Sequence, residues 1–242
     1  MVMPQAVTTT TTTRQCLTGN ALKIIAILSM TLDHIGVHLF PGCQLLRILG
    51  RLALPIFAYM IAEGCQHTRN PKKYLLTVLA VATLCQVIYF LAMGSLYQCI
   101  LVTFTLSILL ILSLDRAGKK RTFSAVLSAV LVWTLVFFIC LGLPNILAHT
   151  DFAIDYGLWG VLLPVFIFLG RNKQEQLLLS LAGLVLLAIF FRNLGAIQWC
   201  SLLTLPLLAL YNGQRGKGQM KYFFYLYYPL HLAVIYGISL LL

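Results

Sequence analysis

From Ala21 onward, apolar runs of about 20 residues alternate with short loops, and every second loop is basic. A run of that length is what an α-helix needs to cross ~30 Å of hydrocarbon. In lipid the backbone must satisfy its own hydrogen bonds, so each such run is constrained to be helical. Only 10% of the 242 residues are charged and 60% are hydrophobic, against about 25% charged in soluble domains. The expected fold class is all-α, a polytopic integral membrane bundle of about nine transmembrane helices. Residues 21–242 read as one domain behind a Thr-rich tail over residues 1–20 that is expected to be disordered and cytoplasmic.

The spans read as Ala21–Phe40, Cys43–Cys65, Tyr74–Met93, Cys99–Leu114, Phe123–Pro144, Tyr156–Gly170, Gln176–Phe191, Ala196–Tyr211 and Tyr222–Leu242. Of the 17 Lys and Arg, all but Arg47, Arg51 and Arg192 fall in the tail, at the base of the first span, or in loops 66–73, 116–122, 171–176 and 212–221. An odd number of spans puts all of these on one side. The positive-inside rule makes that side cytoplasmic, with the N-terminus inside and the C-terminus outside. The net charge of +11 is therefore a topology signal, and the expected partner is the lipid bilayer, not nucleic acid. The seven cysteines stand singly without metal-ligand spacing, so neither a disulfide framework nor a metal site is expected.

The first hairpin breaks the apolar pattern with Asp33, His34, Arg47, Arg51 and, further on, Glu63. An ionisable group near a bilayer centre costs roughly 2.5–3.5 kcal/mol, which makes each one a candidate for function. Arg47 and Arg51 share a helix face, and antiparallel packing brings Arg51 to the depth of Asp33 and His34. Neighbours on a helix diverge by about 100°, so Asp33 is expected to pair with Arg51 or Arg47 rather than to orient His34. His34 is the candidate general base, because an imidazole titrates near neutrality. A buried ion pair that only holds the hairpin together is the competing reading. His38 reads as interfacial, and Glu63 as a partner for a loop lysine. In the last span Tyr227, Tyr228 and Pro229 precede His231, a second histidine at membrane depth, and the basic loop holding Lys72 and Lys73 suits an anionic cytoplasmic ligand.

Several stretches together resemble the TraX family. They are Leu22-Lys-Ile-Ile-Ala with Asp33-His-Ile-Gly36, Leu46-Arg-Ile-Leu-Gly-Arg51, Glu63-Gly with His67-Thr-Arg-Asn70, Asp155-Tyr-Gly157, Leu207 to Gly213, and Tyr228-Pro-Leu-His231. The resemblance runs in order over residues 21–235; Cys99–Ser107 matches less well. It implies an integral-membrane acetyltransferase of the bacterial cytoplasmic (inner) membrane, related to the transmembrane acyltransferases. The acetyl group would pass from cytoplasmic acetyl-CoA to an amine or hydroxyl, in the family's known case the pilin N-terminus. It further implies catalytic roles for His34, Asp33 and Arg51, and no metal. Arg47, Lys72, Lys73, Tyr228 and His231 become the residues expected to hold the cosubstrate. The acceptor would be a pilin-like protein or a cell-surface molecule. A non-catalytic factor for pilus or conjugation assembly and a proton-coupled transporter are the alternatives.

Overall fold

The computed structural model describes residues 16–191, 195–218 and 221–241, apart from the side chains of residues 221, 222 and 225. The tail up to position 15, Arg192 and the side chains of Tyr222 and Tyr225 thus lie outside the described residues. The described chain is helical, with two isolated bridges, Leu17 to Tyr211 and Gln98 to Ile154. The helices are α1 (Gly19–His38), α2 (Gln44–Gly50), α3 (Ala53–His67), α4 (Pro71–Met93), α5 (Ile100–Lys120) and α6 (Phe123–Phe137). A π-helical turn (Phe138–Gly142) leads into α7 (Leu143–Ile146), followed by α8 (Gly157–Leu169) and α9 (Lys173–Phe190). A 3₁₀ stretch (Ala196–Leu203), α10 (Thr204–Ala209) and α11 (Lys221–Ser239) complete the chain.

Six helices among the described residues are long and apolar enough to cross a membrane: Gly19–His38, Gln44–His67, Pro71–Met93, Ile100–Lys120, Phe123–Ile146 and Lys173–Phe190. Gly157–Leu169 and Ala196–Ala209 are shorter apolar helices. The second partly makes up its length, because a 3₁₀ helix rises about 2.0 Å per residue against 1.5 Å for an α-helix. The expected second span is one run broken at Arg51–Leu52. There Leu52 N–H reaches back only to Leu49 C=O, and Pro55 has no N–H to offer the turn before it.

The helices that leave the basic end start with side-chain caps. Thr18, Asn70, Thr122 and Asn172 accept hydrogen bonds from the backbone N–H of Ala21, Lys73, Ala125 and Glu175. The same end is tied by polar side chains: Tyr59 donates to Gln176 at 2.5 Å, and Lys173 donates to the carbonyls of Ala209 and Tyr211. Glu63 accepts from the Tyr211 hydroxyl at 3.1 Å and lies 3.8 Å from His67, so its partners are a tyrosine and a histidine instead of a loop lysine. The basic loop after α5 is shorter than expected, because α5 continues to Lys120 and pairs Lys119 with Asp115 at 2.7 Å.

The core lies around α3. Ile56, Ala58, Tyr59 and Ala62 pack with Phe104 of α5, Leu163 and Ile167 of α8, and Leu184 and Leu187 of α9. In the α2–α3 span 56% of the most apolar window is buried, against 17% in α4 and in the α6–α7 span. The α3 half of the first hairpin is therefore central, and α4 and α6 form the apolar rim.

Candidate active site

Asp33 and Arg51 close on each other because Gly50 lets α1 and α2 approach. A Cβ on residue 50 would run into the Asp33 side chain. Arg51 Nη2 donates to both Asp33 oxygens at 2.5 Å, and Arg47 Nη1 lies 2.9 Å from Oδ1. Arg51 is only 6% exposed; its Nη1 donates to the Tyr156 hydroxyl at 2.8 Å and to Gln198 Oε1 at 3.4 Å, and its Nε has no partner among the described residues. Burying two charges costs more than an exposed pair returns, so a third and a fourth polar partner are what such a guanidinium requires. Tyr156 sits at φ 55° between Asp155 and Gly157. The loop it belongs to is held at this end by Tyr97, whose hydroxyl donates to Asp155 at 2.8 Å. Burial pushes the Asp155 carboxyl up to about 6, with the Tyr97 hydrogen bond and the Arg51 charge opposing the shift.

His34 faces a different partner. Its Nδ1 lies 3.0 Å from Nε2 of His231 on α11, and His231 Nδ1 lies 3.0 Å from the Tyr227 carbonyl. A carbonyl only accepts, so His231 carries its proton on Nδ1 and, as a neutral ring, presents a lone pair on Nε2. His34 then donates from Nδ1, which leaves the lone pair on its own Nε2. His231 thus sets the tautomer of His34 to one that can take up a proton. His38 stacks on His34 at 6.4 Å between centroids and meets the Tyr236 ring at 4.6 Å.

Two openings approach this pair. A cavity of about 370 Å³ runs inward from the basic end, with Asn20, Lys23, His67, Thr68 and Arg215 at its mouth and Met30 and Tyr228 at depth. Met30 is one helical turn before His34, and Tyr228 three residues before His231. A groove of about 410 Å³ between α1 and α11 is lined by aliphatic residues with Thr31, Tyr227 and His231. Thr31 and Tyr227 of the groove are hydrogen-bonded to each other at 2.7 Å.

The residues expected to share one site therefore divide. Asp33, Arg51 and Arg47 form the ion-pair cluster, while His34 and His231 form a separate histidine pair. Among the described residues no hydrogen bond or ion pair joins the two groups. Tyr228 lines the cavity, and His231 lines the groove beside it. Lys72 and Lys73 are exposed and do not line the cavity, where the Lys and Arg among the described residues are Lys23 and Arg215. Sequence reasoning missed Tyr156 and Gln198 as partners of Arg51. The left-handed turn at Asp155-Tyr-Gly157 was the available signal for the first, and nothing local marks the second.

Against known proteins, a family described as TraX protein matches residues 18–239. A curated protein of Dichelobacter nodosus, "Probable fimbrial assembly protein FimC, serogroup H1", is 29% identical over 88% of this chain and 92% of its own length. An uncharacterized protein of Rickettsia prowazekii is 47% identical over 38 residues, 16% of this chain and 15% of its own. No solved structure matches.

Proposed function

The chain belongs to the TraX protein family, and we propose that it is an inner-membrane acetyltransferase that moves an acetyl group from cytoplasmic acetyl-CoA to an amine or hydroxyl acceptor. The observation that carries this reading is a cavity open to the basic side whose deep residues, Met30 and Tyr228, lie one helical turn before His34 and three residues before His231 of the His34–His231 pair. Among the described residues that cavity has Lys23 and Arg215 at its mouth, no carboxylate in its lining and apolar walls, which fit a phosphorylated head followed by a slender thioester arm.

In this reading the acceptor attacks the thioester carbonyl while His34 Nε2 takes its proton. The tetrahedral oxyanion then collapses, the carbon–sulfur bond breaks, and the imidazolium returns the proton to the departing thiolate. His231 holds the imidazole in the required tautomer throughout. Asp33 and Arg51 act one step away, by fixing α1 against α2. A pilin-like protein is the acceptor class supported by the fimbrial assembly relative.

The decisive experiment incubates the purified protein with acetyl-CoA and a pilin N-terminal peptide or a simple amine and follows free thiol. We expect release that His34→Ala lowers by about 10²–10⁴-fold. Absence of release with every acceptor, together with intact pilus assembly, would favour the second reading, a non-catalytic factor for pilus or conjugation assembly. That alternative rests on the name of the relative alone.

A further inference from the structure

We infer that Lys23 and Arg215 form a phosphate clamp at the mouth of the cavity, and that this pair, not the exposed loop lysines, binds the phosphates of CoA. The inference rests on the acetyl-CoA reading only for the identity of the ligand. Its geometric basis is separate.

Lys23 lies one turn into α1 and packs its ammonium 5.5 Å from the centroid of the Phe224 ring of α11. Arg215 comes from the segment between α10 and α11, and it is near enough for its charge to bear on Lys23. Two like charges held together oppose folding unless an anion joins them. All six carboxylate side chains of the sequence are described, and none forms an ion pair with either cation. The lining of the cavity contains no Asp or Glu.

The juxtaposition is built into the backbone. Gly19 N–H donates to Gln214 C=O at 2.8 Å and Asn20 N–H to Arg215 C=O at 2.9 Å, while Asn20 Nδ2 donates to Lys217 C=O at 3.0 Å. Gly216, at φ 87°, passes so close to Thr18 that a Cβ there would meet its hydroxyl at 2.7 Å. The first amides of α1 are occupied by carbonyls, so the anion is left to the two side chains and not to the helix terminus. A phosphate there has the cavity directly behind it, leading toward Met30 and Tyr228. That is the arrangement a diphosphate-headed thioester needs, because charge-assisted contacts fix the head while the arm enters apolar surroundings.

A phosphate at this place has two sources, CoA or the headgroup of an anionic phospholipid, and the test separates them. Binding of CoA and of pantetheine, which lacks every phosphate, is measured by calorimetry on the full chain in neutral detergent. CoA affinity is expected to fall roughly tenfold or more in Lys23→Met and Arg215→Gln, with pantetheine binding unchanged. The charge-keeping Lys23→Arg should retain CoA binding. On the unaltered protein, raising ionic strength should weaken CoA but not pantetheine, which keeps the proposal testable if a variant fails to fold. CoA affinity indifferent to salt and to both substitutions overturns the clamp. So does saturable displacement of CoA by phosphatidylglycerol when neither substitution changes CoA binding in its absence, which would make the site a lipid headgroup site. A protein that binds CoA through this pair but never releases thiol from acetyl-CoA upholds the clamp and defeats the transfer reading. Transfer with an unchanged KM for acetyl-CoA in both variants does the reverse.

Discussion

At the scale of single residues, the two histidines and the ion-pair cluster should separate by assay. His231 touches His34 rather than the acceptor in this reading, so it is a positioning residue. His231→Ala should lower kcat with little change in KM for acetyl-CoA, and His231→Gln, whose amide oxygen can accept from His34 Nδ1, should restore part of it. A purely structural His231 would instead lower the unfolding temperature and leave kcat per folded molecule unchanged. For the cluster the readout is stability. Asp33→Asn leaves Arg51 buried without a counter-ion and should cost about 3–5 kcal/mol. Arg47→Ala should cost about 0–1 kcal/mol, because Arg47 is 28% exposed and Arg51 keeps the carboxylate paired. Thermal unfolding in detergent ranks the two. An equal loss would mean that Arg47 carries the pair.

Between elements, the close contact of α1 with α2 depends on Gly50. Gly50→Ala drives a methyl into the Asp33 carboxylate and should lower stability by about 1–3 kcal/mol. Its effect should be less than additive with Asp33→Asn, since both break the same contact. An additive double variant would place the strain elsewhere. Scale also explains what was legible beforehand. Helix type and approximate limits follow from apolar run length, and the Asp33–Arg51 pair follows from equal depth in a hairpin of adjacent spans. The break at Arg51–Leu52 was signalled only by Pro55, which an apolar run conceals. The His34–His231 contact joins positions 197 apart, and no local pattern encodes which of several helices α1 meets. In the sequence Lys23 is only one more topological charge, because its neighbour Arg215 arrives only through the fold.

For the molecule as a whole, the end opposite the basic loops carries a pH response. The Asp155 carboxyl is pushed up to about 6 in the folded chain, above the ~3.9 of an exposed aspartate. Between those values the folded state holds the proton more tightly than the unfolded state. Stability should therefore fall as pH rises from about 4 to 6 and level off beyond. Asp155→Asn should flatten that slope in unfolding temperatures taken across the same range. A slope that persists unchanged would assign it to another group.

The double pairing of Asp33 also bears on how such a chain is made. Arg47 and Arg51 lie near the end that is otherwise almost bare of positive charge, where by the positive-inside rule two uncompensated arginines would oppose the orientation that the basic loops favour. Asp33 precedes both and cancels one of them, and the turn between α1 and α2 is short enough for the contact to form as soon as Arg51 emerges. Insertion is then simplest if the two segments enter as a closed pair, with one of the two positive charges already offset, and later helices assemble around it.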